Sequence, residues 1–312
     1  MYVFGVMQRV VDISTDGLHL ATQRGFLTVS ASGEEKGRVA LDDIGALIVH
    51  AHGTTWSNSV VVRLSERAVP VVICGSNHAP VACVWPLHGH HAQGARMRAQ
   101  LSAGRPLAKQ LWRQIIVGKI RMQGEALHFA GREGGAFAVL ARKVRSGDPE
   151  NVEAQAARRY WKVMFGKDFL RDRQADGINA LLNYGYTVLR AVASRAICAS
   201  GLHPTVGIFH ANRANAFALA DDVMEPFRPM VDLLVADLIA SGENAVTPDA
   251  KARLARLASA DFDMPDGTVS PLDLAMQKLT QSLAVSFETG KAVLDLPIRP
   301  AMVASGDAGD TP

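Results

Sequence analysis

Cysteine is scarce in this chain of 312 residues, which has only Cys74, Cys83 and Cys198. They are widely spaced, odd in number and form no C-x-x-C pair, so we expect neither a disulfide framework nor a zinc knuckle, and a reducing compartment. No stretch approaches the ~18 uninterrupted apolar residues of a membrane helix. The first residues lack the charged-then-apolar order of a signal peptide. We therefore expect a cytoplasmic protein with no membrane partner.

Two families of enzyme motif are also missing. The 27 glycines form no G-x-x-x-x-G-K-[ST] loop, so nucleotide hydrolysis is not supported. The G-x-S-x-G and Cys/His signatures of acyl-transfer enzymes are absent too. What remains, 48% hydrophobic and 20% charged residues, is typical of an ordinary globular protein of one large or two average domains.

The net charge of +3 averages two opposite parts. Residues 96–173 hold 17 Lys and Arg against 7 Asp and Glu, whereas the rest of the chain has 16 against 23. Arginine outnumbers lysine 24 to 9, and its planar guanidinium binds phosphates with two parallel hydrogen bonds. This asymmetry predicts an anionic partner, although solvated helix faces would give the same composition.

The hydrophobic pattern changes near residue 90. The first 85 residues favour strands, turns and one helix at Ser57–Arg67, which suggests a small antiparallel sheet, and VPVVICG is typical of a buried strand. After residue 95, apolar residues recur at helical spacing. We predict an α+β protein: an N-terminal β-sheet domain (1–85) with one helix, a linker (86–95), a C-terminal all-α helical bundle (96–300) and a disordered tail (301–312).

Glu153 lies in the predicted helix ENVEAQAARRYWKVMFG, on or beside its apolar stripe. A carboxylate there must be paired, hydrogen-bonded or bound to a cation. A salt bridge to a neighbouring arginine is the structural alternative. Arg158, Arg159 and Lys162 lie on the adjoining face, where a phosphate ligand would need them.

A second polar stretch, GLHPTVGIFHANRANAFALADDVMEPFRPMVD, contains His210, Asp221, Asp222 and Glu225. On one continuous helix His210 and Glu225 would be roughly 22 Å apart, so the asparagine-rich segment must turn the chain back before a helix begins near Leu219. Pro226 would then be a kink or a second helix start. A lone histidine beside an aspartate is also often structural.

Glu153, His210 and Glu225 together would form an oxygen and nitrogen ligand set without thiolate, which suits Mg²⁺ or Mn²⁺. A basic surface beside such a site is typical of a nuclease or strand-transfer enzyme. Loss of Glu225 is expected to spare the fold, because neighbouring carboxylates repel one another. His88, His90 and His91 form a further cluster, which we expect to be a solvated loop rather than a metal site.

Five segments strongly resemble the CRISPR-associated Cas1 family, the integrase and nuclease of spacer acquisition, and are most similar to type II members. They are LDDIGALIVH (41–50), VPVVICGSNHAPVACVWPLHGHH (69–91), EAQAARRYW (153–161), INALLNYGYTVLRA (178–191) and the stretch 201–232 quoted above.

The resemblance implies that Glu153, His210 and Glu225 are the metal-binding catalytic residues. It also implies a homodimer formed through the β domains, a complex with the small Cas2 protein and, in type II systems, contact with the effector nuclease. The expected reaction joins the 3′-hydroxyl of double-stranded prespacer DNA to the CRISPR repeat. Tyr186, Asn212, Arg213 and Arg158 are expected to line the DNA site, with Arg159 and Lys162 beside them.

Two other functions remain open at this point. A structure-specific repair endonuclease could use the same three residues. A catalytically silent DNA-binding scaffold would need only the basic surface, and its charged residues would pair with one another.

Overall fold

The computed structural model describes residues 9–75, 80–86, 90–210, 212 and 215–301. Its strands are β1 (Arg9–Ile13), β2 (Leu18–Gln23), β3 (Phe26–Ala31), β4 (Glu34–Ala40), β5 (Ile44–Val49), β6 (Thr55–Trp56), β7 (Val71–Cys74), β8 (Pro80–Val84), β9 (Asp261–Asp263), β10 (Val269–Pro271) and β11 (Arg299–Pro300). Its helices are α1 (Asn58–Ser65), α2 (Gln93–Ser102), α3 (Arg105–Phe129), α4 (Gly135–Lys143), α5 (Val152–Phe165), α6 (Ile178–Ala199), α7 (Ala218–Val223), α8 (Arg228–Ala240), α9 (Pro248–Ala255) and α10 (Leu272–Thr289).

The N-terminal part contains two four-stranded sheets rather than the single antiparallel sheet expected from the sequence. One has the order β4-β3-β2-β6, in which β2, β3 and β4 are antiparallel neighbours. The other has the order β1-β5-β7-β8, in which β5 runs parallel to both β1 and β7. The expectation of a single antiparallel sheet is wrong because of β5, which is buried at all six positions. Strands of a parallel sheet are covered on both faces, so their sequences do not alternate.

Successive side chains of β5 enter two different cores. Leu47 and Val49 pack between the two sheets with α1, whereas Ala46 and Ile48 pack against the helices. This follows from the two-residue period of a strand, which turns consecutive side chains to opposite faces. The sheet therefore joins the N-terminal core to the core around α6. A hydrogen bond from the Tyr184 hydroxyl to Asp12 Oδ2 (2.6 Å) adds a polar link between β1 and α6.

The C-terminal part is mainly helical, and the α+β class expected from the sequence is confirmed. α6 is buried along most of its length and packs against α8 and α10, while α3, α4 and α5 share a second core. The expectation of an all-helical bundle missed a small antiparallel sheet, β10-β9-β11. Its strands have two or three residues each, too short for a periodic signal. Among the described residues, no helix has the length and hydrophobicity that a membrane crossing requires.

The segment between the two parts is partly helical. α2 begins at Gln93, inside the range 86–95 expected to be a linker. The tail 301–312 lies outside the described residues except for Ala301.

Candidate active site

Glu153 occupies the first turn of α5. Asp148 stands just before the helix and accepts hydrogen bonds from the backbone N–H groups of Val152 and Glu153, both at 2.9 Å. Asn151 also accepts a hydrogen bond from the helix, from the backbone N–H of Ala154. These contacts satisfy N–H groups that a helix leaves unpaired at its start, and they fix the direction in which Glu153 projects.

Glu225 lies in a short 3-10 helix, Glu225–Phe227, between α7 and α8. Pro226 and Pro229 stand at the starts of this turn and of α8, so of the two alternatives expected from the sequence, a kink or a second helix start, the structure has the second. The Glu225 side chain is 5% exposed, and its Oε1 lies 3.0 Å from the Arg228 guanidinium. Burial alone would raise the pKa of Glu225, but Arg228 and Lys119 hold that pKa below its ordinary value.

Lys119 on α3 joins the two glutamates. Its Nζ lies 2.5 Å from Glu153 Oε1 and 2.7 Å from Glu225 Oε2. Burial alone would lower the pKa of Lys119, but the carboxylates of Glu225 and Glu153 raise it above its ordinary value. Two carboxylates that are 72 positions apart in the sequence therefore converge on one positive charge. The salt bridge anticipated for Glu153 exists, but its partner is this lysine rather than an arginine.

His210 is presented by the loop before α7. Its Nδ1 lies 2.6 Å from Asp222 Oδ1, and the Asp222 carboxylate also accepts the backbone N–H groups of Ile208 (2.5 Å) and Phe209 (3.0 Å). Because an ionised carboxylate only accepts hydrogen bonds, Nδ1 is the donor, and a neutral imidazole keeps its lone pair on Nε2. The hydrogen bond to Asp222 raises the pKa of His210 above its ordinary value, against the opposing effect of burial.

The backbone of this loop requires a glycine. A Cβ added at Gly207 would lie 2.6 Å from the His210 carbonyl oxygen and 2.9 Å from Asp222 Oδ2. Phe209 stacks on Trp112 of α3 with ring centroids 4.2 Å apart, and His210 meets Trp112 edge-on at 5.9 Å. The chain returns on itself before α7, as the asparagine-rich sequence predicted, since His210 contacts Asp222 and α7 begins at Ala218. The helix α3 thus supports both His210 and the two glutamates.

Glu153 and Glu225 share Lys119, and His210 lies beside Glu225, but the three side chains do not form a compact ligand cage. His210 is close enough to Glu225 to lower its pKa. Among the described residues, no three His, Cys, Asp or Glu side chains are grouped closely enough to hold a metal ion. The shared role of the three residues therefore stays a prediction.

A cavity of about 360 Å³ opens beside Glu153. Arg171, Arg173, Arg190 and Arg228 contribute positive charge to its wall. Asp232 also lines it, and burial raises the pKa of this carboxyl to about 7 despite the hydrogen bond that it accepts from Tyr186. The remaining lining residues are Lys119, Gln123, Ala157, Trp161, Gln174, Asn183, Tyr186, Thr187 and Pro229.

The residues expected to contact DNA are divided between this cavity and the surface. Tyr186 lines the cavity, but its hydroxyl is engaged by Asp232 and its ring lies beneath Arg228, 4.7 Å from the guanidinium carbon. Arg158, Arg159 and Lys162 are exposed on α5, and Asn212 is exposed on the His210 loop. Arg213 lies outside the described residues.

The basic segment 96–173 is largely a surface feature. All its lysines and arginines are exposed except Arg96, Lys119 and Arg171. Its positive charge is therefore available to solvent and to a partner. The histidine cluster at its edge is only partly described, because His88 lies outside the described residues. The rings of His90 and His91 lie 4.2 Å apart with a tilt of 31°, and His90 Nε2 lies 3.2 Å from Arg96.

Sequence reasoning missed Lys119, Arg228 and Asp232. One signal was available for Lys119, because it interrupts the apolar run IIVGKIRM at a position that faces the core of α3. A lysine buried there needs an anionic partner. Arg228 and Asp232 are three and seven positions after Glu225, on the helix that follows it. Their pairing was not visible without the fold, because their partners include Tyr186 on α6.

Comparison with known proteins identifies the family of this chain. The sequence profile of the family described as CRISPR associated protein Cas1 matches residues 11–253. A relative from Neisseria meningitidis serogroup C, named CRISPR-associated endonuclease Cas1, is 36% identical over 243 residues, covering 77% of this chain and 79% of the relative. Another, from Pyrobaculum aerophilum and named CRISPR-associated endonuclease Cas1 2, is 28% identical and covers 89% of this chain and 98% of the relative.

Solved structures show the same fold at low sequence identity. A casposase bound to an integration product has a TM-score of 0.76 at 22% identity, with 93% of each chain covered. A CAS1 protein from Thermotoga maritima has a TM-score of 0.75 at 15% identity, covering 91% of this chain and 98% of the other. A Cas6-RT-Cas1–Cas2 complex has a TM-score of 0.74 at 18% identity, covering 95% of this chain and 36% of the other. The resemblance expected from the sequence is confirmed, and the chain belongs to the Cas1 family of CRISPR-associated endonucleases.

Proposed function

We propose that this protein is a divalent-metal-dependent DNA endonuclease and integrase that inserts prespacer DNA into a CRISPR array, with Glu153, His210 and Glu225 as the metal ligands. The observation that carries the proposal is the convergence of Glu153 and Glu225 on one positive charge, beside a histidine whose Nδ1 is held by Asp222. Family membership supports the nuclease chemistry, since the curated relatives described above are named endonucleases.

The residues fit a hard divalent cation. Carboxylate oxygens and one imidazole nitrogen are ligands that Mg²⁺ and Mn²⁺ accept. The Glu225 carboxylate is 5% exposed, and its Oε2 faces the Lys119 ammonium at 2.7 Å. A buried carboxylate needs a cation beside it, and a divalent ion would meet the same need. When bound, the ion would lower the pKa of the attacking hydroxyl or water and offset charge on the phosphoryl group.

The protein's own residues orient the ligands and attract DNA. Asp222 fixes the tautomer of His210, so that Nε2 is the nitrogen free to act as a ligand. The cavity arginines, among them Arg171 and Arg190, place positive charge where phosphates of a DNA end would enter. The exposed residues Arg158, Arg159 and Lys162 extend this charge along α5, where a duplex would be held by phosphate contacts.

The proposed assembly includes a homodimer formed through the N-terminal sheets, Cas2 and, in a type II system, the effector nuclease. Structural neighbours supply part of the support, since one is a complex that contains Cas2 and another is bound to an integration product. The proposed substrates are double-stranded prespacer DNA, whose 3′-hydroxyl attacks a phosphodiester of the CRISPR repeat, and the repeat itself.

The test is an integration assay with purified protein, Cas2, prespacer duplex and a supercoiled plasmid carrying a repeat array, in Mg²⁺ or Mn²⁺. Glu153→Gln and His210→Ala should each abolish integration, since hard-metal catalysis depends on the ion to stabilise charge in the transition state. The control is Glu150→Gln, the same change three residues away, where the exposed carboxylate pairs with Arg145. The control should integrate like the wild type.

Three results would contradict the proposal in different ways. Metal-dependent cleavage of DNA without integration would favour a repair endonuclease. DNA binding without either reaction in any metal would favour a silent scaffold. Full activity of Glu153→Gln would place the metal elsewhere in the molecule.

A further inference from the structure

Lys119 is buried in the middle of the candidate site. Its side chain is 10% exposed, and its ammonium group lies between two carboxylates that are proposed to bind a divalent cation. We propose that Lys119 is an internal counter-ion of this site: it holds Glu153 and Glu225 facing each other before the ion binds, and it weakens the ion's affinity because it must release those carboxylates. This inference depends on the metal site proposed above.

The geometry gives Lys119 the first of these roles. The three residues come from separate segments, Lys119 from the middle of α3, Glu153 from the first turn of α5 and Glu225 from the turn before α8. Without a cation between them, two carboxylates on facing segments repel each other. The ammonium contacts of 2.5 Å and 2.7 Å replace this repulsion by attraction and set the spacing of the pair.

The charge balance gives Lys119 the second role. Glu153 and Glu225 carry two negative charges, and Lys119 and Arg228 carry two positive ones, so the cluster is neutral as it stands. A divalent cation would add two positive charges to a region in which Lys119 and Glu225 are buried. The ammonium and the ion would compete for the same carboxylate oxygens, and they would repel each other at short range.

The cavity leaves space for the Lys119 ammonium group to move away from the two carboxylates. It lines the cavity of about 360 Å³, together with the carboxylate of Asp232. On release the ammonium gives up its 2.7 Å contact with Glu225 Oε2, which the bound ion would replace. A four-carbon stem with rotatable bonds allows the ammonium to move while the backbone of α3 stays in place.

The experiment measures Mn²⁺ binding by isothermal titration calorimetry in the absence of DNA. Lys119→Met removes the charge and keeps most of the side-chain volume. It should tighten Mn²⁺ binding by at least about tenfold, because a unit positive charge beside the ion is removed. The melting temperature without metal should fall, since two carboxylates lose their shared partner, and saturating Mn²⁺ should restore it by a larger shift than in the wild type.

Two further variants are controls, and a third replaces Lys119→Met if that variant does not fold. Lys119→Arg keeps the charge and should bind Mn²⁺ no more tightly than the wild type. Lys291→Met makes the same change at an exposed lysine after α10 and should leave Mn²⁺ affinity near the wild-type value. If Lys119→Met fails to fold, Lys119→Gln is used instead, because its amide can still donate to the carboxylates, and it must show the same tightening.

Mn²⁺ affinity that is unchanged or weaker in the neutral variants would overturn the inference. That outcome differs from failure of the metal site itself. If the proposed metal site itself were wrong, the wild-type protein would bind no Mn²⁺, or Glu153→Gln would bind it as tightly as the wild type.

Discussion

Asp222 combines two structural tasks in one buried carboxylate. It accepts backbone N–H groups from the loop 207–210 and also the Nδ1–H of His210. The side chain is fully buried, so each of these bonds replaces a hydrogen bond to water that the folded chain cannot make. The position of His210 therefore depends on the hydrogen bonds that the Asp222 side chain accepts, and packing of the loop against α7 is not enough to fix it.

The change Asp222→Asn tests this dependence. The amide keeps the shape but loses the charge and part of the accepting capacity, so the free energy of unfolding should fall by about 1–3 kcal/mol. The imidazole of His210, followed by NMR in EDTA, should titrate above its ordinary value of about 6.5 in the wild type and at a lower pH in the variant. An unchanged titration would mean that Asp222 does not control the proton of His210.

The same pair predicts a pH dependence of stability. A group whose pKa is raised on folding stabilises the native state below its unfolded pKa, and that contribution disappears as pH rises through the folded value. The difference in unfolding free energy between wild type and Asp222→Asn should therefore be largest near pH 6 and shrink above it. His203→Asn is the control. Burial lowers the pKa of His203, so the pH dependence that this residue contributes to stability has the opposite sign to that of His210. A difference that grows with pH would contradict the assignment.

Glu225→Ala is expected to destabilise the fold, contrary to the expectation from sequence that removing one of two repelling carboxylates would be harmless. The carboxylate neutralises Arg228 and Lys119, both largely buried. Removing it leaves Arg228 without its ion-pair partner and Lys119 with Glu153 alone, and breaking a buried pair in this way typically costs about 3–5 kcal/mol. Thermal unfolding in EDTA measures the loss, and a melting temperature equal to that of the wild type would show that Lys119 and Arg228 find other partners.

At the scale of elements, α5 has three sides with different surroundings: the cavity, the core and solvent. Glu153, Ala157 and Trp161 line the cavity, and Val152, Ala156 and Tyr160 enter the core shared with α3 and α4. Arg158, Arg159 and Lys162 remain exposed. These positions follow from the helical period, since residues three and four apart share a face.

The double change Arg158→Ala, Arg159→Ala should therefore weaken binding of duplex DNA without affecting the core. The slope of log affinity against log salt should become shallower by roughly 0.9 for each phosphate that the variant no longer neutralises. The matched control is Arg38→Ala, Arg63→Ala, which removes two exposed arginines outside the basic segment. Equal slopes for wild type and the α5 variant would exclude these residues from the DNA interface.

For the whole molecule, the sheet β1-β5-β7-β8 links the two parts of the chain. One of its faces belongs to the core between the sheets, and the other packs on the helices around α6. We expect the two parts to unfold in a single transition, because neither can separate without exposing the apolar face of β5 to water.

Ile48→Ala tests this coupling. Ile48 is fully buried on the helix-facing side of β5, and its truncation should cost about 2–5 kcal/mol. Hydrogen exchange should show that amides of β5 and of α6 lose protection together. The control is Val62→Ala, which truncates a side chain that is 44% exposed on α1. Loss of protection confined to the strands would show that the two parts unfold separately.

Local periodicity was enough to predict α1, the strand β7, the long helices and the turn after His210, because each depends on spacing and turn residues within a short stretch. The same sequence carried enough pattern to show the Cas1 family. Three features needed the tertiary structure: the division of the strands between two sheets, the pairing of Lys119 with both glutamates, and the support of His210 by Asp222. Each depends on which distant segments meet, and a buried charge reveals its partner only when the fold brings that partner within a few ångströms.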